Sequence, residues 1–159
     1  MTRRGPAEAK GVVVRCISVL LLLMAAGCGP TGYTKAGFFA GAYGYSDKSV
    51  GADEYAVTVT GNESTSRERV ANIALLRAAH LAADQGRTHF VIITKSTQQL
   101  ERYGVVSLPI PGAFIPVGET QMHEPHAVLI IRLLPNDQAP PAGAIKAADV
   151  IAELGPRLE

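Results

Sequence analysis

The 159-residue sequence contains no tryptophan, and aromatic side chains make up only 6% of it. That leaves little material for a bulky ligand cage. A Gly-x-Ser-x-Gly elbow, a phosphate-binding glycine loop and a dinucleotide fingerprint are all missing, and with them the sequence signatures of several large enzyme classes. Also missing is an apolar run long enough to cross a membrane. The cleanest stretch, residues 16–27, is shorter than the about 18–20 residues a spanning helix needs, and Arg15 blocks its extension upstream. Neither charge sign dominates, with 15 Lys and Arg against 14 Asp and Glu. A nucleic-acid binder needs a basic patch or stripe, so none is expected as a partner. Docking on anionic lipid by charge alone is excluded for the same reason.

What the sequence does carry begins near its start. Arg3, Arg4, Lys10 and Arg15 precede the run Val19-Leu20-Leu21-Leu22-Leu23-Met24, and Ala25-Ala26-Gly27-Cys28 follow it. A positive region, an apolar region and a small-residue cleavage site make a secretory signal peptide. The cysteine directly after the small residues makes this stretch resemble a bacterial lipoprotein signal, although Ala25 stands where Leu is more usual. The resemblance implies a thioether between Cys28 and a diacylglyceryl group, cleavage between Gly27 and Cys28, and acylation of the new amino terminus. That covalent lipid is the only attached group expected; no cofactor is. Gly29, not Asp, follows the cysteine, which in Gram-negative lipoproteins implies the periplasmic leaflet of the outer membrane.

Removal of residues 1–27 changes the inventory. Cys16 leaves with the signal, and Cys28 alone can build neither an intrachain disulfide nor a thiolate metal site. Thiol redox catalysis is excluded with them. Four basic residues and Glu8 leave too, so 11 basic residues face 13 acidic ones.

Residues 28–52 are dense in Gly, Ala and Tyr without a sustained period, and read as the lipidated cysteine followed by a flexible tether. Within it, Phe38-Phe39 and Tyr43-Gly44-Tyr45-Ser46-Asp47 either dock a partner or pack on the domain edge, with Ser46-Asp47 as a turn. Residues 53–155 read as one small domain. Tyr55, Val57 and Val59 alternate with polar residues, the pattern of a half-buried strand, and Gly61-Asn62 ends it. Thr65-Ser66-Arg67-Glu68 fits a capping box with Thr65 as N-cap, opening a helix that runs to about Gln85 and stops at Gly86. Val70, Ala71, Ala74, Leu75, Ala78, Leu81 and Ala82 share one side of it. Arg69, Arg77, His80 and Asp84 lie on the other, read as a solvated face.

The apolar runs at 89–94 and 127–133 read as central strands buried on both faces. A last helix, about 144–154, would bury Val150, Ile151 and Leu154. The expected fold is α+β: a small mixed sheet with an alanine-rich helix on one face, in the order β-α-β-β-α.

Gly44-Tyr45-Ser46-Asp47, Tyr55-Ala56-Val57, Gly61-Asn62, Thr65-Ser66, the stretch Ala74-Leu75-Leu76-Arg77-Ala78-Ala79-His80-Leu81, Gly86 and Phe90 form a pattern. It resembles that of a family of small, mostly uncharacterised proteobacterial lipoproteins, over about residues 43–97 and the signal. His80 replaces a frequent Glu of that family and Arg87 a frequent Tyr. The resemblance implies the lipoprotein character and the fold, and it carries no catalytic assignment.

Between the two apolar strands, residues 98–122 form an arm. Val105-Val106-Ser107-Leu108-Pro109-Ile110 mirrors Ala113-Phe114-Ile115-Pro116-Val117 about a Pro111-Gly112 turn, and the flanking prolines are expected to block extended ladder pairing. If the arm protrudes, Leu108, Ile110, Phe114 and Ile115 make an apolar contact patch. Otherwise it folds back over the sheet edge.

His123-Glu124-Pro125-His126 has a superficial likeness to a zinc motif. Its histidines are three apart with a proline between, not four apart on a helix, and in an extended chain they face opposite ways. No metal site and no catalytic residue is expected. The reading is a non-catalytic envelope module, anchored to the membrane by its lipid, that contacts another envelope protein through the arm. The alternative is a periplasmic module that binds a small ligand or senses envelope stress.

Overall fold

The structure is a computed structural model. It describes residues 29–37, 42–110 and 113–159, with only the backbone between 102 and 120. The signal peptide, Cys28, Phe38-Phe39 and the Pro111-Gly112 turn lie outside the described residues.

The fold is α+β, a five-stranded antiparallel sheet with two helices packed on it. In chain order the elements are β1 (Gly44–Gly51), β2 (Glu54–Thr60), α1 (Arg67–Asp84), β3 (His89–Ile110), β4 (Ala113–Leu133), β5 (Ile145–Lys146) and α2 (Ala147–Leu158). Strand order across the sheet is β1-β2-β4-β3-β5.

The expected mixed sheet is corrected to an antiparallel one, and the topology supplies the reason. Helix α1 returns the chain so that β3 runs parallel to β2, as a crossover helix should. Strand β4 then inserts between them, antiparallel to both. No two neighbouring strands of the sheet are parallel.

Two further strands were hidden in stretches of weak pattern. β1 lies inside the segment expected as a tether and pairs with β2 from Gly44↔Thr60 to Gly51↔Glu54. Ser46-Asp47 is therefore strand, not turn. β5 holds two residues and pairs with the start of β3, with Ile145 opposite Phe90. It delays the last helix to Ala147, and that helix runs on to Leu158.

Alternation in β2 and β4 selects one face for the core. Val57 and Val59 are fully buried, as are Ala127, Leu129, Ile131 and Leu133 to within 2%. Val128 and Ile130 on the opposite face are only half-buried, and Arg132 is exposed. The expectation of strands buried on both faces is thus corrected, because both helices cover the same side. Among the side chains of β3 that are described, only Phe90 is fully buried, and a register shift between Ile92 and Thr94 leaves Ile93 46% exposed.

Helix α1 buries Val70, Ala74, Ala78, Leu81 and Ala82 as its spacing predicts, and Ile73, Leu76 and Ala79 in addition. Helix α2 packs against α1 and buries Ala147, Val150, Leu154 and Leu158. The N-cap is one residue later than expected. Ser66 accepts from the backbone N–H of Arg69, while Thr65 is turned inward. At the other end Gly86 takes a left-handed φ of 67°. Its N–H donates to Ala83 and that of Arg87 to Ala82, a Schellman closure that suits glycine.

Candidate functional site

The β3–β4 ladder does not stop where the sheet does. β2 pairs with β4 only as far as Thr60↔His126. β3 and β4 continue alone from Gln99↔Pro125 to Ile110↔Ala113. At about 3.3 Å per residue, that ribbon reaches roughly 35–40 Å past the sheet. The arm foreseen at residues 98–122 therefore projects as a two-stranded ribbon, and the expectation that prolines would block the ladder is corrected. Leu108 pairs with Ile115, Pro109 with Phe114 and Ile110 with Ala113. A ribbon of two strands has an outward edge on each, where a residue without an N–H loses no bond. A register shift between Val106↔Gly118 and Ser107↔Pro116 skips Val117, a bulge next to the second proline. The side chains of Leu108, Ile110, Phe114 and Ile115 lie outside the described set.

At the ribbon's root the His123-Glu124-Pro125-His126 stretch is strand. Glu124 is 2% exposed, and a buried carboxylate needs hydrogen bonds; the Tyr43 hydroxyl donates to its Oε1 at 3.0 Å. The Pro125 carbonyl accepts from Gly61 N–H at 2.8 Å. His126 Nδ1 lies 3.1 Å from the Thr60 hydroxyl, and burial pushes its imidazole below the usual pKa. His123 is exposed and pairs with Glu101 in the ladder. The two histidines are thus placed apart, and among the described residues no group of three His, Cys, Asp or Glu gathers for a metal.

Beside the root, the segment from Gly29 to Tyr33 is fastened to the domain. Asn62 Nδ2 donates to the Gly29 carbonyl at 2.9 Å, and Asn62 N–H donates to the Thr31 hydroxyl at 2.9 Å. Thr31 N–H donates to the Thr65 hydroxyl at 2.8 Å, and Arg69 Nε to the Thr31 carbonyl at 2.8 Å. Both threonines are buried. Further along, the Tyr33 hydroxyl lies 2.6 Å from His80 Nδ1. The Tyr33 and Tyr45 rings are 4.8 Å apart, and Arg77 sits over Tyr45 while its Nε meets Asp47 at 2.9 Å. Burial pushes the Tyr33 hydroxyl up to about 12.

These contacts correct two expectations. The residues after Cys28 are not a free tether but a clasp, continued by a bridge between Lys35 and Tyr45 at the edge of β1. The polar side of α1 is not a solvated face either. Arg69, Arg77 and His80 are covered by the clasp and β1, and of the four only Asp84 is left exposed. Tyr45 packs against the core, as the edge-packing reading of that aromatic cluster required. Thr31 is the residue that sequence reasoning missed, and Glu124, weighed there only as part of a zinc motif, is instead buried at the ribbon's root. A lone Thr between Pro30 and Gly32 gives no periodic signal.

A groove of about 260 Å³ runs along the helix pair and is lined by Glu68, Asn72, Leu75, Val150, Glu153, Leu154 and Arg157. Ligand pockets usually run to about 300–1,000 Å³ and are mostly apolar. Among the described residues no helix is long and apolar enough to cross a membrane. No protein-family model, curated protein or solved structure matches this chain.

Proposed function

We propose that the chain is a lipid-anchored, non-catalytic protein of the bacterial envelope, held at the periplasmic leaflet of the outer membrane through Cys28, and that the β3–β4 ribbon is its contact element toward another envelope component. The observation that carries this reading is the ribbon, which extends the sheet's two longest strands far beyond the core they serve. Residues 104–118 of it hold no Asp, Glu, Lys or Arg. Core packing does not explain such a projection, whereas an apolar contact does. The basic and apolar run ending at Cys28 supports the anchor.

Two experiments test it. Growth with an inhibitor of the lipoprotein signal peptidase should accumulate a lipid-modified precursor still carrying residues 1–27; an unmodified, normally processed protein counts against the anchor. A photo-crosslinker at Phe114 in living cells should give a discrete adduct. Val50, 51% exposed at the other end of the sheet, is the control. Equal, diffuse labelling from both positions would return the ribbon to a structural role.

A further inference from the structure

The two edges of the sheet are finished differently. At the β1 edge, Lys35 bridges to Tyr45, Lys48 is exposed, and the register shifts between Ser49 and Gly51. A covering segment, a lysine and a bulge are devices that keep an edge strand from pairing with another chain. The β3 edge has less cover. β5 pairs with β3 only at His89 and Phe90, and among the described residues no other strand lies on that side. From residue 91 to 101, about 36 Å at roughly 3.3 Å per residue, the outer edge of β3 faces no strand. Ile93, 46% exposed, lies near its start.

We infer that two copies of the chain pair through this edge, β3 against β3 and antiparallel, about a two-fold axis at Gln98. Charge selects the register. Lys95 and Glu101 are both exposed. They lie an even number of residues apart with no register shift between them, so their side chains leave the same face. With Gln98 opposite Gln98 of the second copy, Lys95 falls opposite Glu101 of that copy, and symmetry makes the pair twice. Thr97 then meets Gln99, and Ser96 meets Leu100. A register centred on Lys95 would set lysine against lysine, and like charges directly opposite are destabilising. Registers centred on Ser96, Thr97 or Gln99 bring neither charge to its opposite. The Glu101 carboxylate accepts from more than one donor, so the cross-strand ammonium adds to its contacts within its own chain.

Strand addition draws its affinity from main-chain hydrogen bonds, while exposed ion pairs are individually weak. The charges therefore decide which register forms, and the backbone holds it. An axis perpendicular to the sheet joins the two sheets edge to edge and keeps the helices of both copies on one side. The contact block, residues 95–101, ends well short of the ribbon tip and leaves it to project from each copy. Neither the tip nor the lipid enters the contact, so this inference stands apart from the proposed function.

Charge exchange tests it. The full chain is expressed with its signal, extracted in mild detergent and followed by sedimentation equilibrium at matched solvent density. A monomer–dimer equilibrium is expected. Lys95→Glu and Glu101→Lys should each raise its dissociation constant about threefold or more, because each removes two exposed ion pairs per dimer. The double variant carrying both changes restores opposite charges across the strands and should return to within about twofold of the parent. A chain that stays monomeric at every concentration overturns the inference, as does a dimer that the single changes leave unmoved or the double change fails to restore. Disulfide trapping tests the register without altering charge. Residues facing each other across an antiparallel pair have Cα atoms about 4.5–5.5 Å apart, inside the about 4.4–6.8 Å that a disulfide spans. Oxidised Gln98→Cys should therefore give a covalent dimer. Ser96→Cys faces Leu100 and should stay at the background that the unsubstituted chain, with Cys16 and Cys28, sets. Equal trapping at both positions, or none at 98, overturns the pairing and leaves the lipid anchor and the ribbon's own contact standing.

Discussion

Single side chains fix the clasp, and their chemistry sets its sensitivities. Thr65 is 6% exposed and takes the N–H of Thr31. Thr65→Val keeps the shape but leaves that buried donor without its acceptor, which costs about 1–3 kcal/mol and should appear as a lower midpoint in urea. Tyr33 sets an alkaline limit. Its folded pKa of about 12 lies above the ordinary 10.0, so the folded state keeps a proton that the unfolded chain releases. Its contribution is whole below pH 10 and drains away as pH rises toward 12; Tyr33→Phe should flatten unfolding midpoints across that window. His126 works in the opposite direction. Burial lowers its pKa from 6.5, so the folded state holds the neutral ring. Its stabilising share is present above pH 6.5 and is lost as pH falls below it. His126→Gln should weaken that acid dependence.

At the scale of elements, junctions matter more than lengths. Gly61 is the pinch between β2 and α1. A Cβ there would stand 2.8 Å from the Thr65 side chain and from Val70 Cγ1, both held in place by packing. Gly61→Ala should therefore destabilise by about 1–3 kcal/mol, in the range of overpacked cores, measurable as a fall in thermal midpoint. The ribbon behaves differently. Past Gln99 and Pro125 its two strands pair only with each other. Replacing residues 103–118 with a tight turn should leave the circular dichroism of the sheet and its thermal midpoint nearly unchanged while abolishing any adduct from that region.

The same contrast explains what could be read from the chain. Strong periods were legible: Tyr55, Val57 and Val59 in β2, the alanine stripe of α1, and the stop at Gly86. β1 was not, because Ser46, Lys48, Ser49 and Val50 are exposed on an edge strand and supply no apolar alternation. The capping box at Thr65 was half legible, since a threonine that can cap a helix can equally serve the clasp, and only the position of Thr31 decides between them.

Taken as a whole, the molecule gathers its polar investment at one end. Clasp, buried Glu124, Gly61 pinch and ribbon root all lie where β2 finishes, while the polar contacts of the opposite end, Arg87–Asp53, Arg132–Glu54 and Asn136 with Thr88 and Gly86, are exposed. Salt should affect the two ends unevenly. The hydrogen bonds of Thr31 and Thr65 are buried and unscreened, whereas the exposed pair Arg132–Glu54 at 2.6 Å contributes little in any salt. The bond between Asn62 and Gly29 also carries a consequence for biogenesis. On the lipoprotein reading, the scissile bond between Gly27 and Cys28 lies two residues from that anchor point, too near a folded surface for a peptidase cleft to admit an extended backbone. Maturation then has an obligatory sequence of events: the leader must be removed while residues 29–33 are still loose, and the closing of the clasp marks a chain that has already been processed.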